Sequence, residues 1–127
     1  GLLYDSLQTP EHLAGLSRIH EEAGGPAQRI LIRRVWLGRP PEEAAEGQLN
    51  FYKSYTSEKT QSSWGGNELV ADESAERLAE RLVDAARQTG SQALNLRVHQ
   101  MGVDHAAIRD QIERLGREML PHLRARL

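Results

Sequence analysis

The stretch RILIRRVWLG, residues 29–38, is rich in branched apolar residues and closes on glycine, which reads as a strand. The two-residue period sends Ile30, Ile32, Arg34 and Trp36 to one side and Leu31, Arg33, Val35 and Leu37 to the other. Apolar groups on both sides need cover on both. That is the mark of a parallel sheet flanked by helices.

Strand and helix signals alternate around it. The opening GLLYDSL, residues 1–7, is a short strand candidate. Thr9 can cap a helix that begins at Pro10, with Leu13, Leu16 and Ile19 or His20 as its inner stripe and Gly24-Gly25-Pro26 as its stop. Asp72 can cap the next, with Glu73 and Glu76 favouring the positive end of its dipole and Leu78, Ala79, Leu82, Val83 and Ala86 as its apolar face. Gly90 ends it. A last strand, ALNLRVHQMGV over 93–103, leads to a helix from Asp104 on Ile108, Ile112, Leu115 and Met119, bent or ended near Pro121. No tight hairpin signal joins the strands, so the crossovers imply an α/β fold built of parallel βαβ units. Three parallel strands leave two open edges, which invite pairing with a second copy or a larger sheet.

The exception is the middle. RPPEEAAEGQ can form a short helix from Pro40 or Pro41, whereas LNFYKSYTSEKTQSSWGGNE is polar and dotted with aromatics. The chain thus reads as a single α/β segment over 1–127 with a loop or insertion at about 39–70.

Composition bounds the function. The 127 residues carry 16 Lys+Arg against 18 Asp+Glu, a net charge of -2, so there is no basic field for a nucleic acid. The absence of cysteine excludes a disulfide framework and thiolate metal sites. No apolar run approaches the roughly 20 residues that span a bilayer, and the start lacks a secretory leader pattern. A cytoplasmic protein without membrane contact is the expectation. Gly1 enters an apolar run at once, so the chain looks cut from something longer or trimmed at its start. The five histidines show no i,i+4 pairing, and no nucleotide-binding glycine loop or nucleophile elbow is present, so no protein-built metal site is expected.

The segment ALNLRVHQMGVDHAAIRDQIERLGREMLPHLR resembles the closing strand and helix of the luciferase-like flavin-dependent oxidoreductases. ELVADESAERLAERLVDAARQTG is similar to the helix that precedes that strand, RILIRRVWLG to the strand before, and GLLYDSLQTPEHLAGL to the unit earlier still. Met101 stands where the resemblance leads one to expect proline. The family's members are (β/α)8 barrels that act as monooxygenases or dehydrogenases with FMN or a deazaflavin coenzyme. The resemblance therefore implies the C-terminal part of such a barrel, about its last three strands and helices. It also implies a small-molecule substrate, an inactive isolated chain, and a partner in the remaining half of the barrel or a homo-oligomer.

Within that frame Asn95, Arg97 and His99 face the barrel interior, opposite Leu94, Leu96 and Val98. Arg97 and His99 are candidate contacts to a cofactor phosphate, its polar ring edge or substrate; alternatively, Arg97 pairs with an interior carboxylate and His99 satisfies the backbone. Arg34 could neutralise a phosphate, and Gly38 and Arg39 could approach one or simply end the strand. Tyr52, Tyr55 and Trp64, with Phe51 and the glycines Gly65 and Gly66, have the make-up of a lid or substrate wall, or of a loop pinned to the rim. No residue matches a catalytic motif. A rival reading is a small non-catalytic α/β module that self-associates through open strand edges.

Overall fold

Arg29–Leu37, strand β2, is the axis of a four-stranded sheet in which every pairing is parallel. The structure, a computed structural model, describes residues 1–65 and 69–126. Strand β1, Leu2–Tyr4, pairs with β2 from Arg29 to Leu31, and β3, Leu69–Asp72, pairs with it from Arg34 to Leu37. Strand β4, Ala93–Arg97, pairs with β2 from Ile30 to Arg34. Because β4 shares β2 residues with both β1 and β3, it must lie on the opposite edge. β1 and β3 therefore sit end to end along one edge of β2.

The break between them is filled by a side chain. Arg33 is buried and donates to the carbonyls of Ile32 at 2.8 Å, Asp5 at 3.1 Å and Gln8 at 3.2 Å. A guanidinium has donors enough to serve several backbone acceptors where no strand is present to do so.

Helices α1 (Pro10–Glu22), α4 (Ala75–Gln88), α5 (His105–Arg114) and α6 (Leu120–Arg124) surround the core, with a π-helical turn over Leu115–Met119 between the last two. Leu31, Val35 and Leu37 of β2, with Leu94, Leu96 and Val98, meet Leu13 of α1, Leu78 and Leu82 of α4, and Met119 and Leu123. One face of the sheet thus holds the core. The other is uneven: Leu3, 63% exposed, and Ile30, 40% exposed, lie at its start, whereas Ile32, Arg34 and Trp36 further along β2 are buried.

Several sequence expectations shift. The middle segment is not one loop: it contains α2 (Glu42–Lys53), α3 (Glu58–Gln61) and β3, making four strands rather than three. Good helix formers, with Glu42 and Glu43 first and Lys53 last, sustain α2. The short helix expected from Pro40 or Pro41 is its start; its continuation to Lys53 was not expected, because only Ala45 and Gln48 are buried, too few for an apolar stripe. Thr9 and Asp104 cap α1 and α5 as expected, but Ser74, not Asp72, caps α4. Asp72 closes β3, and its carboxylate accepts the Ser74 N–H at 2.8 Å. In α1, Leu13 and Ser17 are buried, whereas Leu16 and Ile19 are exposed.

In α5 the inner residue is Gln111, and Ile112 is 56% exposed. The Gln111 amide accepts the Leu37 N–H at 2.9 Å and donates to the Leu37 carbonyl at 3.0 Å. Those two groups lie on β2's edge toward β4, beyond the last residue of β4. The side chain replaces a strand neighbour there. The π-helical turn shifts the helical phase, so a stripe extrapolated from Met119 and Leu115 back to Ile112 goes astray.

Candidate functional site

Cα partners in a parallel sheet put their side chains on the same face, so the pairing Arg34–Arg97 sets two guanidiniums side by side. Both line a cleft of about 290 Å³. Its other walls are Asp5 to Leu7, just after β1, and Tyr52, Tyr55 and Trp64 from the middle segment. The C-terminal ends of parallel strands are where ligands bind in open α/β sheets and barrels alike. The cleft occupies that position.

Arg34 is buried, and one of its amino groups donates to the His99 carbonyl while the other donates to the Tyr52 hydroxyl at 2.9 Å. Gln48, one helical turn before Tyr52, donates to the same hydroxyl at 3.2 Å, and its carbonyl accepts the Met101 N–H at 3.0 Å. That last bond fixes which way the amide points, since only the oxygen can accept. These bonds fasten α2 to the ends of β2 and β4 through polar side chains. The sequence reading missed Gln48; its only signal was the i,i+4 spacing to Tyr52 beside Ala45 on one helix face.

The aromatic wall has internal order. Phe51 and Tyr55 meet edge-on with centroids 5.4 Å apart, and Tyr52 and Tyr55 lie 6.2 Å apart at 87°. Such edge-to-face contacts are favourable. Trp64 forms an antiparallel bridge with Gln8, and the Gly65 N–H donates to the Leu7 carbonyl at 3.0 Å. Backbone bonds therefore pin this end of the segment to the loop after β1. Gly66 lies outside the described residues.

Five residues singled out from the sequence come together here: Arg34, Arg97, Tyr52, Tyr55 and Trp64. Three do not. His99 is exposed, and its part in the site is the carbonyl that Arg34 engages. Gly38 and Arg39 line a separate, more open depression of about 610 Å³ with Asp72 and Arg77. Gly38 adopts φ 103°, a left-handed conformation that favours glycine, and its N–H donates to the Asp72 carbonyl at 2.9 Å. There the accepted Ser74 N–H, then the Arg77 guanidinium, holds the Asp72 carboxyl below its usual range.

Among the described residues no group of three or more His, Asp or Glu could hold a metal, and no helix is long and apolar enough to cross a membrane. No protein-family model matches the chain, and no curated protein matches it.

Proposed function

We propose that this chain is the C-terminal part of the barrel of a luciferase-like flavin-dependent oxidoreductase, and that its open sheet face forms part of the cofactor and substrate wall. One observation carries the reading. Helices α1, α4, α5 and α6 pack on one face of a parallel sheet; on the opposite face Ile32, Arg34 and Trp36 of β2 are buried beside the α2 segment, whereas Asn95 and Arg97 of β4 stand exposed. A doubly wound sheet is clothed by helices along the whole of both faces, whereas here the β4 part of the second face has no helix over it, as on the inward face of a barrel. The strand β2 also lies between β1 and β4, the order in which successive barrel strands adjoin.

The residues present fit a flavin cofactor in part. Among the described residues, two guanidiniums against the one carboxylate of Asp5 give the cleft positive character suited to a phosphate or a polar ring edge, and Tyr55 and Trp64 offer flat apolar surface. A cleft of about 290 Å³ encloses only a portion of a dinucleotide- or flavin-sized ligand, as a partial wall should. Bound FMN or deazaflavin would supply the redox chemistry of a monooxygenase or dehydrogenase. Arg97 would bind the anionic part, Tyr52 would orient Arg34, and the 39–65 segment would exclude water and shape the small-molecule pocket. A cytoplasmic location fits such a role.

Flavin titration of this chain and of the longest product of its reading frame tests the proposal. A product of about 250 residues or more can close a barrel and should bind flavin stoichiometrically, with Arg97→Ala weakening that binding. The 127-residue chain alone should not bind it. Tight binding by the short chain would overturn the divided barrel.

A second reading has one observation in its favour. β4 pairs only with β2 among the described strands, so its outer edge is open, and Leu3 and Ile30 are exposed on the same sheet. A stable homodimer with no flavin binding in any length of product would support a self-associating module instead.

A further inference from the structure

We propose that the cleft between the sheet and the Tyr52–Trp64 segment is a binding site for an oxyanion carried on a flat aromatic group, complete within this chain and independent of the flavin reading. Three features point to an anion. Arg34 and Arg97 are Cα partners on adjacent strands about 4.8 Å apart. Two guanidiniums side by side concentrate positive potential in the cleft, which draws anions to it. The Arg97 side chain, moreover, makes no hydrogen bond or ion pair with any described residue, although it lines the cleft.

The third feature is the Tyr52 hydroxyl. A phenol oxygen has two lone pairs, and here both are engaged, by Arg34 at 2.9 Å and by Gln48 at 3.2 Å. Its proton must therefore be given to some further acceptor, and no described residue takes it. A cleft holding a spare guanidinium and a spare phenolic O–H suits a ligand that only accepts. Among the described residues the wall has one carboxylate, Asp5, which makes no ion pair with Arg97; its Oδ1 accepts the Leu7 N–H at 3.3 Å and the Ser6 hydroxyl at 3.4 Å.

The remaining wall sets what carries the anion. Tyr55 is 63% exposed and stands edge-on to Tyr52, and Trp64 completes the same side. Exposed rings beside paired cations favour a planar π-system over an aliphatic chain. Both a phosphate monoester and a carboxylate present the required oxygens. The cleft takes an aryl version of either.

Tryptophan fluorescence and calorimetric titrations of the 127-residue chain test this, with phenyl phosphate, benzoate, inorganic phosphate and benzyl alcohol as probes. Phenyl phosphate or benzoate should saturate, with inorganic phosphate and benzyl alcohol each at least several-fold weaker. Whichever aryl anion binds tighter identifies the natural head group as ester or carboxylate. Arg97→Gln should weaken aryl-anion binding roughly tenfold or more, the worth of one charge-assisted contact, with unchanged circular dichroism because the Arg97 side chain is exposed and has no partner among the described residues. Tyr55→Ala should weaken phenyl phosphate selectively and leave inorganic phosphate as it was. Failure of both aryl anions to saturate at millimolar concentration, or equal binding to wild type and Arg97→Gln, would overturn the site. Equal affinity for phenyl phosphate and inorganic phosphate would overturn its aromatic half. Aryl-anion binding here, together with a long product that ignores flavin, would remove the flavin reading and leave this one standing.

Discussion

β2 and β4 are adjacent parallel strands in register from Ile30–Ala93 to Arg34–Arg97, yet they live in different surroundings. Every residue of β2 except Ile30 is buried, including three arginines. In β4 only Leu94 and Leu96 are half-buried, and Ala93, Asn95 and Arg97 are exposed. The difference arises from what stands over each strand. β2 has α4 and the chain's last helices on one side and the fastened α2 segment over its C-terminal half on the other. β4 has helices on one side alone. A buried arginine such as Arg33 or Arg34 must spend its donors on its neighbours, whereas an exposed one such as Arg97 leaves its side-chain donors open to solvent. The same residue type is therefore a structural tie on one strand and an accessible charge on the next.

The largest expected effect separates the two faces of the sheet. Leu82 is fully buried in α4, so Leu82→Ala should lower stability by about 2–5 kcal/mol in urea unfolding. Leu3→Ala, on the open face, should change it by less than about 0.5 kcal/mol. A Leu3 loss approaching that of Leu82 would mean the open face is covered in solution, by a second copy or by more polypeptide, and the contrast would then need the oligomeric state measured alongside.

A middle-sized effect belongs to the place where β4 stops and β2 continues. Gln111→Ala leaves the Leu37 N–H without its 2.9 Å partner in a buried position, a loss of about 1–3 kcal/mol. Ile112→Ala, one residue along the same helix but turned to solvent, should be near neutral. Were the two equal, the amide would not be standing in for a strand, and β2 would owe its burial to packing alone.

How far the sequence could be read follows the same division. RILIRRVWLG announced its parallel sheet because apolar groups on both sides have one common cause, cover on both faces. The α4 stripe was legible since Leu78, Ala79, Leu82, Val83 and Ala86 all meet the core. The alternation of β4 likewise gave Leu94, Leu96 and Val98 to the core and Arg97 to the other side. What did not show was structure held by polar groups. Helix α2 rests on Gln48 and Tyr52, α5 is turned inward by Gln111, and the edge of β2 is closed by Arg33, none of which leaves a hydrophobic period to detect. The site divided for the same reason. Strand alternation could place Arg34 and Arg97 on one face, but the register that makes them neighbours and the bonds that bring Tyr52 to Arg34 are long-range facts. Gly38 and Arg39 looked equally placed at a strand end, and the turn sends them to a different depression.

The smallest effect tests the other edge of β2, where β3 ends at Asp72. The Ser74 N–H first, and the Arg77 guanidinium at 2.8 Å second, hold the Asp72 carboxyl below its ordinary value of 3.8. A folded-state value below the unfolded one means that ionised Asp72 stabilises the fold at pH above about 3.8, and that this contribution is lost as pH falls through the lower, folded value. Wild type should therefore exceed Asp72→Ala in Tm at neutral pH, with the gap narrowing on acidification. Arg77 is largely exposed, so added salt should shave its share of the gap while leaving the part due to the short Ser74 bond. Thermal unfolding of both proteins from neutral to strongly acidic pH gives the answer. A gap that is independent of pH would show that Asp72 closes β3 by shape rather than by charge, and the two edges of β2 would then be alike in depending on neutral hydrogen bonds.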